Sequence, residues 1–244
     1  LHYPLRRQRQ MCIRDREEIL KKLKAAPKKA IRPRPDRPLQ RELYLTKEEL
    51  IERFTKNLAE EAGVVHRVPD RQAALDKLTE IVRAEGLKKV MVSTDDVVAP
   101  LDLPDWGKKN GVQIMTPKDF PDRDSFRDAV FDQAQAGITG ADFAVAESGT
   151  IGLIHNKDQA RLISLAPILH IAIIPVERIY PVYELVIEKV FGKNVGGHGG
   201  APAEKTLLPS QFIFITGPSM TGDIQGALFK GMHGPRRLIA ILVG

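Results

Sequence analysis

The spacing of apolar positions predicts two amphipathic helices near the start of the patterned part of the chain. Thr46 and Glu49 form a capping-box pair ahead of an apolar helical face that ends near Gly63. Asp70 is placed to cap a second helix, which Gly86 stops. Each of these helices has one apolar face, as expected of helices that pack against one side of a sheet.

Short apolar runs between the helical segments predict β-strands. These runs lie at residues 64–68, 88–94, 112–115, 143–146, 151–154, 170–174, 212–216 and 238–243. The runs at 143–146 and 151–154 are close enough to form a hairpin. The runs at 170–174, 212–216 and 238–243 are typical of strands buried on both faces.

Helices and strands therefore alternate along most of the chain. Further helices are predicted at residues 126–136, 182–190 and 220–229. Alternation of this kind predicts an α/β fold with an open, largely parallel sheet and helices on both of its faces.

The charge of the chain is unevenly distributed. The net charge is +6, but residues 1–41 hold 14 Lys and Arg against Asp15, Glu17, Glu18 and Asp36, so that residues 42–244 carry a net charge of −4. Prolines at 27, 33, 35 and 38 predict a stiff, solvated segment. We therefore divide the chain into a basic, Pro-rich disordered tail (1–41) and a single domain (42–244), and we expect no nucleic-acid partner.

Residues 1–16 look unlike the rest, and we expect the native start to lie after residue 16.

Cysteine content and hydropathy exclude several classes of protein. Cys12 is the single cysteine, so these residues cannot form an internal disulfide, a cysteine-based zinc site or a self-contained iron–sulfur cluster. No apolar run approaches the ~20 residues that a membrane helix needs, and no signal peptide opens the sequence. We expect a cytoplasmic protein without a membrane span.

Residues 139–150 are denser in glycine and polar residues than packing requires. Because ligands in open α/β sheets bind beyond the strand ends, Glu147, Ser148 and Thr150 are candidates to line a cleft. Glu147 is the candidate catalytic residue, as acid, base or nucleophile, whereas the two hydroxyls can bind a carboxylate or phosphate oxygen. The alternative is a hairpin in which Ser148 and Gly149 only make the turn.

A second group of candidates follows the run at 212–216. There a strand leads through Gly-Pro-Ser into the helix predicted at 220–229, whose first N–H groups would bind an anion. The ligand-binding candidates are Arg161, Gly217, Ser219, Thr221, Asp223, His233 and Arg236. The alternatives are a well-capped helix and a His233 that only holds its loop by a hydrogen bond.

Other motifs are weak or absent. The spacing around Gly217 fits neither a Walker A loop nor a dinucleotide fingerprint. We interpret His170 as a structural histidine and the glycine-rich segment 192–206, with His198, as a mobile loop. No histidine has a partner at metal-ligand spacing, so we expect no metal site.

Residues 139–150, 161–172 and 216–236, in this order, resemble the LUD domain of the lactate utilization protein C (LutC/YkgG) family. The blocks Thr216–Ile224 and Gly231–Arg236 carry the most specific part of this resemblance. It is good over about 139–243, extends back to about 46 and does not cover 1–41. The sequence departs from the family at Ser148, where Thr is usual, and in a longer 192–206 segment. The resemblance implies an open α/β fold similar to the NagB/RpiA/CoA-transferase-like superfamily.

The resemblance also implies a function. It suggests a cluster-free subunit of a lactate utilization complex that supports oxidation of L-lactate to pyruvate, with no cofactor in this chain and iron–sulfur clusters on partner subunits. One alternative is an independent CoA-transferase- or isomerase-like enzyme with Glu147 as nucleophile or base. Another is a non-catalytic module that binds a small carboxylate or phosphate.

Overall fold

The computed structural model describes residues 16–22, 24–25, 44–191, 211–222 and 228–244. The chain divides into two units, residues 1–41 and residues 42–244. In the first unit, residues 16–22 and 24–25 are helical. The expected loop at 192–206 lies outside the described residues, and so does most of the basic tail.

The second unit alternates helices and strands. Its described helices are α1 (Lys47–Glu60), α2 (Arg71–Glu85), α3 (Leu103–Asn110), α4 (Arg123–Asp132), α5 (Leu162–Leu165) and α6 (Tyr183–Phe191). Its described strands are β1 (Val64–Val68), β2 (Lys89–Val92), β3 (Gln113–Met115), β4 (Ala136–Gly140), β5 (Phe143–Val145), β6 (Thr150–Ile154), β7 (Leu169–Pro175), β8 (Ile179–Tyr180), β9 (Phe212–Ile215), β10 (Met220–Gly222), β11 (Leu228–Lys230) and β12 (Arg237–Val243).

Six strands form an open parallel sheet in the order β1-β12-β7-β4-β2-β3. Helices α2 and α3 cover one face through a core cluster that includes Leu78 and Trp106. Helices α1, α4 and α5 cover the other face, together with a small second sheet. The α/β fold class predicted from the sequence is confirmed. The parallel strands are buried because both faces of the sheet are covered.

The first two predicted helices begin and end where the sequence places them. The Thr46 and Glu49 side chains bond reciprocally across the start of α1, with Thr46 N donating to Glu49 Oε2 at 2.7 Å. Asp70 Oδ1 accepts from Ala73 N at 2.8 Å and caps α2, which Gly86 ends in the left-handed conformation. These boundaries are set by local chemistry, which is why the sequence predicts them.

The second sheet has the order β8-β5-β6-β9. The predicted hairpin is confirmed, because β5 and β6 pair antiparallel with Val145 opposite Thr150. The expectation that 212–216 is buried on both faces is wrong. Strand β9 is an edge strand of the small sheet, and its Phe214 side chain is 45% exposed.

The helix predicted at 220–229 is also wrong. Met220–Gly222 pairs antiparallel with Leu228–Lys230, with Met220 opposite Lys230. Thr221 is β-branched and Gly222 is a poor helix former, so local propensity does not favour a helix here. Residues 223–227, which connect β10 and β11, lie outside the described residues.

Helix α4 is displaced from its predicted range of 126–136. Asp122 Oδ1 accepts from Ser125 N at 2.8 Å, so this cap starts the helix at Arg123. The helix ends at Asp132, and Ala136 begins β4. The side-chain cap therefore determines where this helix starts.

Candidate functional site

Four hydroxyl groups meet between the small sheet and the start of α6. They belong to Ser148, Thr150, Tyr183 and Thr216, which we call the hydroxyl cluster. The oxygen of Thr150 is at its centre, 2.8 Å from Ser148 Oγ, 2.6 Å from Tyr183 OH and 2.7 Å from Thr216 Oγ1. A hydroxyl can both donate and accept, so these four groups can bond to one another, and their contacts join β6, β9 and the start of α6.

The turn that presents Ser148 is pressed against helix α1. Gly149 has φ +63°, and a Cβ at this position would lie 2.3 Å from Leu58 N. Asn57 Nδ2 also donates to Ala146 O at 2.7 Å. Ser148 and Gly149 therefore make the hairpin turn, and the same turn brings the Ser148 hydroxyl to Thr150.

Glu147 contacts the backbone at the start of α6. Its Oε1 accepts from Tyr183 N at 3.0 Å, so it occupies one of the donors that a helix start leaves free. The Glu147 backbone N–H is bound as well, to Pro181 O at 3.1 Å. A capping role accounts for this glutamate, because a carboxylate at a helix N-terminus is favourable.

A cavity of about 180 Å³ lies next to the hydroxyl cluster, which shares Thr216 with it. We call it the His170 cavity. Its polar lining consists of Ser164, His170, Thr216, Ser219 and His233. The cavity lies at the amino-terminal ends of β7 and β12, since His170 and Leu238 are each the second residue of their strand.

Backbone hydrogen bonds join the two segments that line this cavity, around Ser219 and between Gly231 and Pro235. Ser219 N donates to Pro235 O at 2.8 Å, and Gly231 N donates to Ser219 O at 2.8 Å. Gly217 has φ +143°, and a Cβ there would lie 2.5 Å from Glu61 O at the end of α1. Three of the residues predicted from the sequence, Gly217, Ser219 and His233, are thus brought to one cavity.

His170 is the most deeply buried polar residue of the cavity. Its Nε2 is 2.9 Å from Thr139 Oγ1, whereas its Nδ1 has no hydrogen-bond partner among the described residues. Burial lowers the pKa of His170 to about 3, so the ring is neutral at pH 7. The interpretation of His170 as a purely structural histidine accounts for only one of its two nitrogens.

The remaining candidates do not line this cavity. Arg161 lines a separate groove of about 710 Å³, beside Arg123 and His155, and its Nη1 donates to Gln211 Oε1 at 3.2 Å. Thr221 lies opposite Phe229 in the β10–β11 pair, and Arg236 lies before β12.

Asp223 falls outside the described residues. The predicted anion site at a helix start is wrong for the described residues, because Met220–Gly222 is a strand and offers no helix dipole.

A second polar region lies at the opposite, carboxyl-terminal edge of the main sheet. Asp95 follows β2 and is nearly buried; its Oδ1 accepts from Val97 N at 2.9 Å and Val98 N at 3.0 Å. Its Oδ2 accepts from Gly140 N at 2.9 Å, at the end of β4. Because β3 and β4 lie on opposite sides of β2, this is the topological switch point, where open α/β sheets bind ligands. This region was not among the predicted sites, although a polar run, Ser93–Asp96, directly follows the apolar strand β2.

Asp142 and Arg178 extend this carboxyl edge. Burial raises the pKa of Asp142 to about 6, and the nearby Asp95 adds to the rise, while the Ile154 N–H and Arg178 oppose it. Arg178 pairs with Asp96 and donates from Nη1 to Ala141 O at 3.1 Å. The pKa of Arg178 is raised, chiefly by its hydrogen bond to Asp96, so this guanidinium stays charged.

Two kinds of site are absent from the described part of the chain. No group of three or more His, Cys, Asp or Glu side chains in it is arranged to hold a metal ion. None of its helices is long and apolar enough to cross a membrane.

Comparison with known proteins identifies the family. The family model described as the LUD domain matches residues 51–243, which include the hydroxyl cluster, the His170 cavity and the carboxyl edge. The chain belongs to the LUD-domain family. The resemblance stated from residues 139–150 and 216–236 is confirmed.

Named relatives of this LUD-domain chain align with most of its length. The lactate utilization protein C of Anoxybacillus flavithermus is 30% identical over 69% of this chain and 69% of its own. That of Halalkalibacterium halodurans is 28% identical over 86% of this chain and 87% of its own. Lactate utilization protein C 1 of Bacillus mycoides is 27% identical over 96% of this chain and 98% of its own.

A solved structure shares the fold. The crystal structure of a DUF162 family protein from Deinococcus radiodurans matches with a TM-score of 0.53 at 22% identity, covering 82% of this chain and 99% of that one. This likeness supports the α/β fold.

Proposed function

We propose that this LUD-domain chain serves lactate utilization as a cluster-free subunit, beside iron–sulfur proteins that oxidise L-lactate to pyruvate. The proposal rests on the alignments with proteins named lactate utilization protein C from two bacteria. These alignments cover 86% and 96% of this chain. The match to the LUD-domain model, over residues 51–243, includes the segments that build the His170 cavity and the hydroxyl cluster.

The cysteine content supports a division of labour. A [2Fe–2S] or [4Fe–4S] cluster is held by about four cysteine thiolates, whereas these 244 residues contain one cysteine. In this proposal, electrons taken from lactate pass to clusters on partner subunits, and this chain contributes binding or positioning. Its location is expected to be the cytoplasm.

Growth on lactate tests the proposal. In a bacterium that lacks its own lactate utilization protein C, expression of this chain is expected to restore growth on L-lactate as sole carbon source. Growth on glucose and an empty vector are the controls. A tagged copy should retain cysteine-rich partners whose visible absorption bleaches on reduction. Unrestored growth together with a tagged chain that retains no iron–sulfur protein contradicts the proposal.

The same assay separates this role from that of an independent transferase. A nucleophilic glutamate fails when it becomes an amide, whereas a helix cap needs only an acceptor oxygen, which an amide also has. Because Glu147 Oε1 accepts from Tyr183 N, we expect Glu147→Gln to restore growth on lactate fully. Glu147→Ala should lose about 1 kcal/mol of unfolding free energy. Loss of growth in the well-folded Gln variant would favour the transferase.

A further inference from the structure

The groove of about 710 Å³ that includes Arg161 lies beside the carboxyl-terminal ends of β2 and β3; we call it the Arg161 groove. One side of its lining begins at Pro117, two residues after β3, and runs into α4. The other side comes from residues 155–162, a segment joined to the end of β2 because Thr94 N donates to Asp158 O at 2.8 Å. Open α/β sheets bind their ligands beyond the carboxyl ends of their strands.

Three cationic side chains line this groove without an ion-pair partner among the described residues: those of Arg123, Lys157 and Arg161. All three residues are exposed. The side chains of Arg123 and Lys157 form no hydrogen bond to a described residue, and Arg161 donates only to the neutral amide oxygen of Gln211, at 3.2 Å. Their charges are therefore available to a ligand.

The carboxylates nearest to these cations are already engaged by other groups. Asp122 lines the groove, but its Oδ1 accepts from Ser125 N at 2.8 Å and from Ser125 Oγ at 2.9 Å. These bonds hold the pKa of the Asp122 carboxyl below its usual range. Asp158, next to Lys157 in the chain but outside the lining, pairs with Lys118 at 3.7 Å. Three positive charges against one engaged carboxylate make the groove attractive to an anion.

Apolar side chains make up much of the remaining lining, namely Pro117, Phe120, Pro121, Phe126, Ala160 and Leu162. Phe120 is half-buried and meets Phe126 edge to face, with ring centroids 5.9 Å apart. A partly exposed aromatic ring offers a surface on which a planar heterocycle stacks. The volume lies within the range of about 300–1,000 Å³ that drug-sized ligands occupy, so an inorganic ion alone would leave most of the groove unfilled.

We propose that the Arg161 groove binds a nucleotide that carries a diphosphate or longer phosphate chain. The phosphate oxygens bond to Arg123, Lys157 and Arg161, since guanidinium groups match phosphate oxygens in geometry and charge. The base packs against Phe120. A nucleotide joins the two properties that the lining combines, several charges of one sign and a planar apolar body. The assignment does not depend on a role in lactate utilization.

Calorimetry on the full 244-residue chain tests the assignment with ADP, pyrophosphate and adenosine. ADP is expected to bind saturably. Adenosine lacks the phosphates and pyrophosphate lacks the base, so each should bind roughly tenfold more weakly than ADP. Salt at about 150 mM limits non-specific attraction by the basic residues of the tail. An absence of saturable ADP binding would overturn the proposal, and so would equal affinity for ADP and pyrophosphate.

Matched arginine variants locate the site. Arg123→Gln and Arg161→Gln should each weaken ADP binding roughly five- to tenfold, because each removes a charged hydrogen-bond donor to phosphate. Arg83→Gln removes an exposed arginine of α2 that lies outside the lining, and it should leave the affinity unchanged. Unaltered affinity in both groove variants would overturn the assignment, as would an equal loss in Arg83→Gln.

Replacement of the aromatic ring tests the contact with the base. Phe120→Ala should weaken ADP binding roughly fivefold and leave the affinity for pyrophosphate unchanged, whereas a general loosening of the groove would weaken both. In saturation-transfer NMR on the unaltered chain, irradiation of the aromatic protein protons should attenuate the adenine H2 and H8 signals of ADP. Equal losses for both ligands in Phe120→Ala, or adenine signals that stay unattenuated, would overturn the nucleotide assignment.

Discussion

Asp142 shows how a single side chain makes stability depend on pH in this fold. It lies in the connection between β4 and β5, and burial raises the pKa of its carboxyl to about 6. The folded protein therefore holds this proton more tightly than the unfolded chain does. Stability from this group is fully present below the unfolded pKa of about 4 and is lost as the pH rises through 6.

Replacing Asp142 by asparagine should remove that dependence. The amide oxygen can still accept from Ile154 N, but it carries no charge to bury. We expect Asp142→Asn to gain about 1–2 kcal/mol relative to the wild type between pH 4 and pH 7. Urea unfolding at pH 4 and pH 7 gives the unfolding free energy of the variant and of the wild type. The contribution of titrating groups that both proteins share, such as His170, cancels when the two are subtracted. The exposed Asp132→Asn is the control, and a difference that stays constant with pH would contradict the prediction.

At the scale of elements, two glycines with the same backbone conformation have different neighbours. Gly86 and Gly149 both have φ +63°. A Cβ on Gly86, at the end of α2, meets no atom within 4 Å, whereas one on Gly149 would overlap the backbone of Leu58. The first glycine is required only by its conformation, and the second also by the contact between the β5–β6 turn and α1.

Alanine at these positions separates the two requirements. Gly86→Ala should cost about 1 kcal/mol of unfolding free energy, from left-handed strain alone. Gly149→Ala should cost about 3 kcal/mol, because the turn must also move away from α1. Urea denaturation of both variants measures the costs. Equal losses would mean that the turn is not held against the helix.

The elements that the sequence predicts are those whose signals are local. Caps at Thr46 and Asp70 mark α1 and α2. Strand β4 was not predicted, because its glycines interrupt the apolar run by which a buried strand is recognised. Gly137 is required because a Cβ there would lie 1.8 Å from Ile163 O, in α5. The helix predicted at 220–229 fails for a local reason, because Thr221 and Gly222 do not favour a helix and Met220–Gly222 pairs with the nearby β11. Packing between distant segments thus decides what local propensity leaves open.

The residues of the candidate site also fall into those that the sequence marks by local signals and those that it does not. Ser148, Thr150, Ser219 and His233 stand out as polar residues beside glycines, and the structure brings them to adjoining clusters. Tyr183 and His170 carry no such signal, because each lies at the edge of an apolar segment. Their roles follow from tertiary neighbours alone: Tyr183 joins Thr150 across 33 residues, and His170 joins Thr139 across 31.

For the whole molecule, the main sheet separates two polar regions. The His170 cavity lies at the amino ends of β7 and β12, and the Asp95–Asp142–Arg178 region lies at the carboxyl ends of β2, β4 and β7. A second cavity, of about 540 Å³, is lined by Asp96 and Arg178 at that carboxyl edge. Ligands at the two ends would be separated by the buried length of the strands.

Charge is also divided at this scale, and chromatography can test the division. Residues 42–244 carry a net charge of −4, whereas the whole chain carries +6. At pH 7.5 and low salt, we expect the full chain to bind a cation-exchange column and residues 42–244 to pass through. Retention of the shorter chain would show that a basic patch of the domain, and not the tail, dominates its interactions.

The pairing of β1 with β12 has a consequence for synthesis on the ribosome. Among the strands that the structure describes, β1 has β12 as its only neighbour in the sheet, and Gly244 N donates to Val68 O at 3.0 Å. During synthesis, Val64–Val68 cannot pair with β12 until more than 170 later residues have been made. Pairing over such a separation is slow to form, and a strand edge exposed meanwhile invites aggregation. We expect nascent chains of this protein to depend on chaperones until the last strand emerges.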